Sequence, residues 1–207
     1  MEVTDSNFIL QNSDFSNLRF ESIKLCKDQI LTEKFFFGSE FFDCDFSSMQ
    51  INNCVFNDCD FVRCNLSMSK FNLTSFQNTR FSNSQLAGID WTLMKWPRKS
   101  LRNKPKFDIS FTRCELNYSI FIALEMYKAQ FDSCFLDEVC FEDADLEKAV
   151  FDGCNLSGAS FNHTNLESAD FSTARNYSIN VQTNRVKKAK FSLPEAISLL
   201  YAMDIEI

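Results

Sequence analysis

The residue types most able to do chemistry in this 207-residue chain are nine cysteines, one histidine and a run of carboxylates in the second half. Cysteines can bind a metal or form disulfides. The sequence has no CxxC pair, however, and most cysteines recur at intervals of five or twenty, unlike the short chelating spacings of zinc sites. We therefore expect reduced structural thiols and no metal or other cofactor, while a bridge within the series Cys114, Cys134 and Cys154 stays open.

Catalysis requires several titratable groups that converge in one place. His163 is the only histidine, and the chain has neither a P-loop nor a dinucleotide-binding fingerprint. The sequence therefore predicts a protein that is not an enzyme.

Carboxylates are concentrated between residues 107 and 171, where 13 acidic and three basic residues give a net charge of −10. A solubilising surface and an anionic rod that resembles a nucleic-acid duplex are both open interpretations of this segment. For the second, the candidate partner-binding acidic face consists of Glu125, Asp132, Asp137, Glu138, Glu142, Asp143, Asp145, Glu147, Asp152 and Glu167.

The period of the sequence identifies the fold that must position these residues. FDGCNLSGASFNHTNLESADF, residues 151–171, has an apolar residue at every fifth position: Phe151, Leu156, Phe161, Leu166 and Phe171. A period of five fits neither an α-helix nor a β-strand. If the chain turns a corner in the same sense every five residues, these side chains point to a common axis, and four such steps close a square coil.

The same register runs from Phe36 to Leu86 and from Phe111 to Phe171, and its apolar residues are called centres below. The residue two positions before each centre is usually small, which indicates a second inward position with little space. Seven cysteines occupy it: Cys44, Cys54, Cys59, Cys64, Cys114, Cys134 and Cys154. Since free cysteine behaves as a small apolar residue, we expect these seven to be buried, and only Cys26 and Cys140 to differ.

The chain resembles the pentapeptide-repeat family, whose loose pattern A(D/N)LXX is matched by ADLEK (144–148), CNLSG (154–158), TNLES (164–168) and CDFSS (44–48). The resemblance implies an all-β fold, a right-handed quadrilateral β-helix, which we assign to residues 1–191. Only four glycines are present. We therefore expect most corners to be turns that need no positive φ.

Two breaks interrupt the array. An early frame of Phe15, Phe20, Leu25 and Ile30 shifts by one residue, which predicts a bulge or small loop within residues 26–36. Residues 91–106 contain two prolines and six cations with no acid, and form either an irregular coil or a projecting loop. The candidate partner-binding residues of this second break are Lys95, Trp96, Arg98, Lys99, Arg102 and Lys104.

The segment SLPEAISLLYAM predicts a helix with Ser192 as its cap, Glu195 completing a capping box and Pro194 in the first turn. Residues 192–207 carry more apolar surface than one solenoid end can cover, which predicts a homodimer. The expected interface residues are Pro194, Leu199, Leu200, Met203, Ile205 and Ile207.

Four repeats per coil predict the position of the acidic residues. Glu125 would stack under Asp145, Asp132 under Asp152, and Glu147 under Glu167. None of the 13 acids falls at a centre or at the small inward position, so all of them can face solvent.

The layout is similar to that of the Qnr-type quinolone-resistance proteins and their mycobacterial relatives. This resemblance implies a dimeric DNA mimic that binds a type II topoisomerase, DNA gyrase or topoisomerase IV, and protects it from quinolones. The alternative is a scaffold with an unrelated protein partner. The net charge of −7 argues against direct nucleic-acid binding, and the absence of a long apolar stretch or signal peptide predicts a cytoplasmic protein without a membrane partner.

Overall fold

The computed structural model describes residues 2–25, 28–96, 107–201, 203 and 205. The chain divides into two compact units: unit 1 comprises Met1–Trp96 and Asp108–Glu115, and unit 2 comprises Pro97–Phe107 and Leu116–Ile207. The fold is the predicted right-handed quadrilateral β-helix with a short C-terminal helix.

Unit 1 consists almost entirely of short parallel strands. Its elements are β1 (Glu2–Val3), α1 (Ser6–Gln11), β2 (Asp14–Ser16), β3 (Arg19–Glu21), β4 (Ile30–Thr32), β5 (Phe35–Phe37), β6 (Glu40–Phe42), β7 (Gln50–Asn52), β8 (Val55–Asn57), β9 (Asp60–Val62), β10 (Ser75–Gln77), β11 (Thr79–Ser82), a 3-10 helix (Trp91–Leu93) and β12 (Ile109–Thr112). One sheet of unit 1 contains β1, β3, β6, β9, β11 and β12 in that order. A second contains β2, β5, β8 and β10, and β4 pairs with β7.

The centres of unit 1 point inward and stack on the coil above and below. Phe15 stacks on Phe36 at 4.6 Å between ring centroids, and Phe36 stacks on Phe56 at 4.8 Å. These rings are almost fully buried. The core is therefore a column of offset-stacked aromatic rings, an arrangement that aromatic pairs prefer.

Helix α1 was not predicted from the period of five. Asp5 caps it by accepting a hydrogen bond from the backbone N–H of Asn7 (2.9 Å). Ile9 on this helix is fully buried and lines the interior together with Leu31 and Phe36. The helix therefore covers apolar side chains of the first coils of unit 1.

The first break is a single extra residue, and the assignment of Ile30 as a centre was wrong. Phe15 pairs with Phe36, an offset of 21, whereas Phe36 pairs with Phe56, an offset of 20. Leu31 is buried and pairs with Ile51, while Ile30 is 51% exposed. The new register is thus already established at Leu31, because Leu31 stacks on an inward neighbour and Ile30 does not.

The second break adds ten residues, which is two repeats. Phe81 pairs with Phe111, an offset of 30 instead of 20. Trp91 is fully buried at a centre, and the backbone N–H of Lys95 donates to the Thr74 carbonyl (2.9 Å). The coil therefore continues through residues 91–96, and residues 97–106 lie outside the described part of the chain. An insertion of two whole repeats explains why the centres keep their register.

Unit 2 contains β13 (Gln130–Asp132), β14 (Val150–Asp152) and α2 (Ile197–Tyr201). Strand β13 pairs with β14 at an offset of 20. The ring of Phe151 stacks on Phe131 (5.1 Å) and Phe171 (4.8 Å), and packs edge-on against Phe141 (5.8 Å). The predicted column of Phe131, Phe151 and Phe171 is confirmed.

The corners differ from the expectation that they would avoid positive φ. Twenty-four described non-glycine residues have φ between 45° and 61°, and most of those in unit 2 lie two residues after a centre, as Glu138 and Lys148 do. The left-handed conformation costs about 1–2 kcal/mol per residue. Most of these backbone N–H groups donate to a carbonyl of the next coil, for example from Lys148 to the Glu167 carbonyl (3.0 Å). These backbone hydrogen bonds between coils stabilise the left-handed conformation at the corners, which the low glycine content had argued against.

The C-terminal helix begins later than predicted. Helix α2 starts at Ile197, five residues after the predicted cap Ser192. The Ser198 hydroxyl donates to the Tyr177 carbonyl (3.2 Å), which anchors the first turn of α2 to the preceding coil. Neither α1 nor α2, the described α-helices, has the length and apolar content that crossing a membrane requires.

Candidate partner-binding surface

The four sides of the coil in unit 2 define where each acidic residue lies. Face A is centred on Phe131 and Phe151, face B on Leu136 and Leu156, face C on Phe141 and Phe161, and face D on Leu146 and Leu166. All eight centres are buried. The outward positions of each repeat are the residue before the centre and the two after it.

The ten acidic residues predicted as one face are distributed over all four. Asp132 and Asp152 lie on face A, Asp137 and Glu138 on face B, and Glu142 and Asp143 on face C. Face D carries four: Glu125, Asp145, Glu147 and Glu167. Together with Asp170 on face A they form a ring of carboxylates around the coil, which we call the acidic band.

The predicted stacking of carboxylates in successive coils is confirmed by the register. Glu125 pairs with Asp145 and Asp132 pairs with Asp152. Glu147 and Glu167 are aligned by two backbone hydrogen bonds between their coils. The Leu146 N–H donates to the Asn165 carbonyl (2.8 Å), and the Lys148 N–H donates to the Glu167 carbonyl (3.0 Å). Adjacent coils are about 4.8 Å apart, so carboxylates of the same sign are brought close together.

Side-chain donors from neighbouring coils reduce this repulsion. Asn165 Nδ2 donates to Asp145 (2.7 Å), Asn155 Nδ2 donates to Asp137 (2.6 Å), and the Thr173 hydroxyl donates to Asp152 (2.6 Å). Amides and hydroxyls supply hydrogen bonds without cancelling the negative charge. The band therefore stays anionic while its side chains are held in position.

A few cations lie within the band. Lys148 Nζ is 3.2 Å from Glu147 and also contacts the Tyr127 hydroxyl at 3.3 Å. Lys128 Nζ lies 5.2 Å from the centroid of the Tyr127 ring. The hydrogen bond from Lys148, together with the nearby charge of Lys128, lowers the pKa of the Tyr127 hydroxyl. This local cluster interrupts the negative surface on face D.

No residue of the band is fully buried, although one carboxylate oxygen of Glu125, Oε2, is. Asp132, Glu138, Asp143 and Asp152 are exposed, and the other members are half-buried. The carboxylate of Glu138 leans over Gly158 in the next coil, where a Cβ would lie 2.5 Å from Glu138 Oε1. The glycine leaves room for this side chain.

The charge density of the band is close to that of duplex DNA. From Leu116 to Phe171, 11 carboxylates and two lysines give a net charge of −9. At twenty residues per coil and about 4.8 Å between coils, this stretch rises about 13 Å. The band therefore carries about one net negative charge per 1.5 Å, compared with about one per 1.7 Å along the axis of B-DNA.

The predicted basic loop is described only at its start. Lys95 is exposed, and Trp96 is half-buried with its indole Nε1 donating to the Trp91 carbonyl (2.8 Å). Arg98, Lys99, Arg102 and Lys104 lie outside the described residues. Their placement at a partner surface remains a prediction.

The predicted dimer residues are accessible where they are described. Pro194, Leu200, Met203 and Ile205 are exposed and Leu199 is half-buried, whereas Ile207 lies outside the described residues. Two further apolar side chains that the sequence did not single out are also exposed: Leu193 at 79% and Tyr201 at 63%. The end of unit 2 therefore presents a group of apolar side chains to solvent.

The cysteines are placed as structural thiols. All seven at the small inward position are buried and free, Cys140 is half-buried, and Cys26 lies outside the described residues. Burial raises the pKa of Cys54 and of Cys59 to about 11. The hydrogen bond with Cys44 raises the pKa of Cys64, and burial adds to it. The thiols of Cys54, Cys59 and Cys64 are therefore protonated and poorly nucleophilic at neutral pH.

In the part of the chain that the structure describes, the remaining side chains capable of chemistry do not converge on one site. His163 is exposed, with Nδ1 at 3.9 Å from the Asp143 carboxylate. Within the described residues, no group of three or more His, Cys, Asp and Glu side chains could hold a metal ion. The cavity lined by Ile9, Leu31 and Phe36 has a volume of about 10 Å³, the size of one water molecule, and its walls are apolar.

Comparisons with known proteins agree with this architecture. A family model described as "Pentapeptide repeat region" matches residues 34–121 and 124–196. Trypsin-treated QnrB1, described as a plasmid-mediated fluoroquinolone resistance protein, aligns with a TM-score of 0.73 and 16% identity over 100% of this chain and 96% of that one. HetL of the cyanobacterium Nostoc sp. strain PCC 7120, a pentapeptide repeat protein involved in heterocyst differentiation regulation, aligns with a TM-score of 0.57 and 16% identity over 87% of each chain. No curated protein sequence matches this chain.

Proposed function

Because this chain belongs to the pentapeptide-repeat family, we propose that it is a non-catalytic DNA mimic that binds a type II topoisomerase, either DNA gyrase or topoisomerase IV. By analogy with QnrB1, it would protect that enzyme from quinolones. We further propose that two chains pair through residues 192–207 in the cytoplasm.

The acidic band carries this proposal. Its charge per unit length is close to that of a duplex, and its carboxylates surround the coil as phosphates surround a DNA axis. Hydrogen bonds from Asn155, Asn165 and Thr173 hold some of the carboxylates in place before a partner arrives. Preorganised charge costs less ordering entropy on binding than mobile side chains would.

Charge reversal at exposed band residues tests the proposal. We expect Asp132→Lys, Glu138→Lys and Asp143→Lys together to weaken topoisomerase binding at least tenfold at low salt, while the free energy of unfolding changes little because exposed charges contribute little to stability. Binding by the unchanged protein should weaken as salt rises, since exposed charges are screened.

A matched control reverses three exposed acids of unit 1, Glu2, Glu33 and Asp108, each to lysine. It makes the same change in net charge outside the band. Equal loss of binding in the two variants would show that only overall charge matters and would overturn the assignment of the band as the contact surface.

A scaffold with an unrelated protein partner is the second candidate function. Phe35 and Phe37 are 47% and 50% exposed on β5, and a pair of exposed rings on one strand is suited to an apolar protein contact. Substitution of both rings by serine should leave topoisomerase binding unchanged if the first proposal is right. Loss of a different protein partner with this variant would favour the scaffold.

A further inference from the structure

The last coil of unit 2 has the opposite charge to the coils before it. Residues 172–191 contain five cations and no acid: Arg175, Arg185, Lys187, Lys188 and Lys190. We call this segment the terminal basic coil. The period of five does not reveal it, because all five residues occupy outward positions that the repeat pattern leaves free.

The sign changes within single columns. Asp170 pairs with Lys190 in the parallel ladder at an offset of 20. On face D the outward column runs from Glu147 to Glu167 and then to Lys187. The acidic band therefore ends at one coil, and the next coil is basic.

Two of the five cations form ion pairs with the last carboxylates of the acidic band. Arg185 lies 3.1 Å from the Glu167 carboxylate, and Lys190 lies 2.8 Å from that of Asp170. The ammonium of Lys190 and the hydroxyl of Ser172 offset the effect of burial and lower the pKa of Asp170. These two pairs reduce the repulsion between carboxylates at the end of the band.

Three cations have no such role. Arg175, Lys187 and Lys188 are exposed, and among the described residues no carboxylate lies within 4.0 Å of their charged groups. Lys187 follows Glu167 in its column, whereas Arg175 follows Asn155 and Lys188 follows Ser168. Adjacent coils are about 4.8 Å apart, which is well inside the Debye length of about 8 Å at physiological salt. They therefore weaken the negative potential that a DNA mimic needs, unless they make a contact of their own.

We propose that Arg175, Lys187 and Lys188 bind an acidic segment of the same protein partner, next to the basic groove that receives the acidic band. This inference rests on the proposed function and extends it. A duplex presents negative charge along its whole length, whereas this surface changes sign at one end. The partner surface that fits it must also change sign, so the three cations fix the direction in which the mimic enters the groove.

The experiment measures binding of purified DNA gyrase and topoisomerase IV to the full-length protein and to a triple variant, Arg175→Glu, Lys187→Glu and Lys188→Glu. The variant has a net charge of −13 instead of −7. We expect binding to weaken at least tenfold at fixed ionic strength, although the protein has become more negative. The matched control, Lys24→Glu, Lys70→Glu and Arg113→Glu in unit 1, makes the same charge change at exposed residues and should bind as tightly as the unchanged protein or more tightly.

The two proposals fail in different ways. If the unchanged protein binds a topoisomerase and the terminal variant binds equally or more tightly, the inference is overturned and the mimic proposal stands. If the unchanged, folded protein binds neither enzyme, the mimic proposal falls and the inference falls with it. Circular dichroism of each variant separates a lost contact from a lost fold.

Discussion

Replacement of Phe151 by alanine tests the packing of unit 2 most severely. The Phe151 side chain is fully buried, and its ring stacks on Phe131 at 5.1 Å and on Phe171 at 4.8 Å. Truncation removes the transfer free energy of the ring and leaves a cavity, at a cost of about 3–5 kcal/mol. We expect the upper half of this range, because two stacked pairs are lost and each adds about 0.5–1.5 kcal/mol beyond the buried area.

Urea or guanidinium unfolding, followed by circular dichroism, measures the change in the free energy of unfolding. Asn162→Ala is the matched control in the same unit, because Asn162 is exposed and its amide makes one long hydrogen bond, 3.3 Å, to Glu142. The control should change the free energy by less than about 0.5 kcal/mol. Similar costs for the two variants would refute the assignment of inward and outward positions.

Four further predictions concern the thiols, the basic insertion and the C-terminal end. A thiol reagent should label at most about two groups per native chain at pH 8, those of Cys26 and Cys140; rapid labelling of all nine, counted by mass spectrometry, would contradict the buried assignment. The pKa values of Cys54 and Cys59, about 11, lie above the usual 9.0. The stability that these two protonated thiols contribute is therefore complete below pH 9 and should be lost as the pH rises to about 11. Denaturant melts across this pH range measure the loss. Deletion of residues 97–106 restores the offset of 20 and should preserve the fold and topoisomerase binding while abolishing protection from quinolone in a supercoiling assay; unchanged protection would remove the insertion from the mechanism. Truncation after Phe191 should convert a dimer to a monomer or an aggregate by light scattering, and a full-length chain that is itself monomeric would refute dimerisation through this end.

The sequence was sufficient to predict the coil because its strongest signal is volume. Large apolar centres such as Phe151 and small inward residues such as Cys154 repeat every five positions, and a coil that turns a corner every five residues buries both. The exact position of the first break was not predictable from this signal. Ile30 and Leu31 are adjacent and equally apolar, and only the pairing of Leu31 with Ile51 decides between them.

Features that depend on the backbone were predicted less well. Left-handed corners at residues such as Glu138 and Lys148 are stabilised by bonds to the next coil, and a rule based on local turn preferences does not include such bonds. The acidic residues were correctly placed outside the core, but their distribution over four faces follows from the coil geometry rather than from their spacing along the chain. The sign change between Glu167 and Lys187 was visible in the sequence as a segment without acids, but its position next to the band required the register.

Competition with duplex DNA tests the central claim most directly. A fluorescent duplex bound to DNA gyrase or topoisomerase IV at low salt is titrated with the native protein, shown beforehand to be folded and dimeric, and displacement is followed by anisotropy. The DNA-mimic account predicts that the protein displaces the duplex and that the concentration required rises steeply with salt. A duplex that stays bound to both enzymes throughout the titration would contradict it.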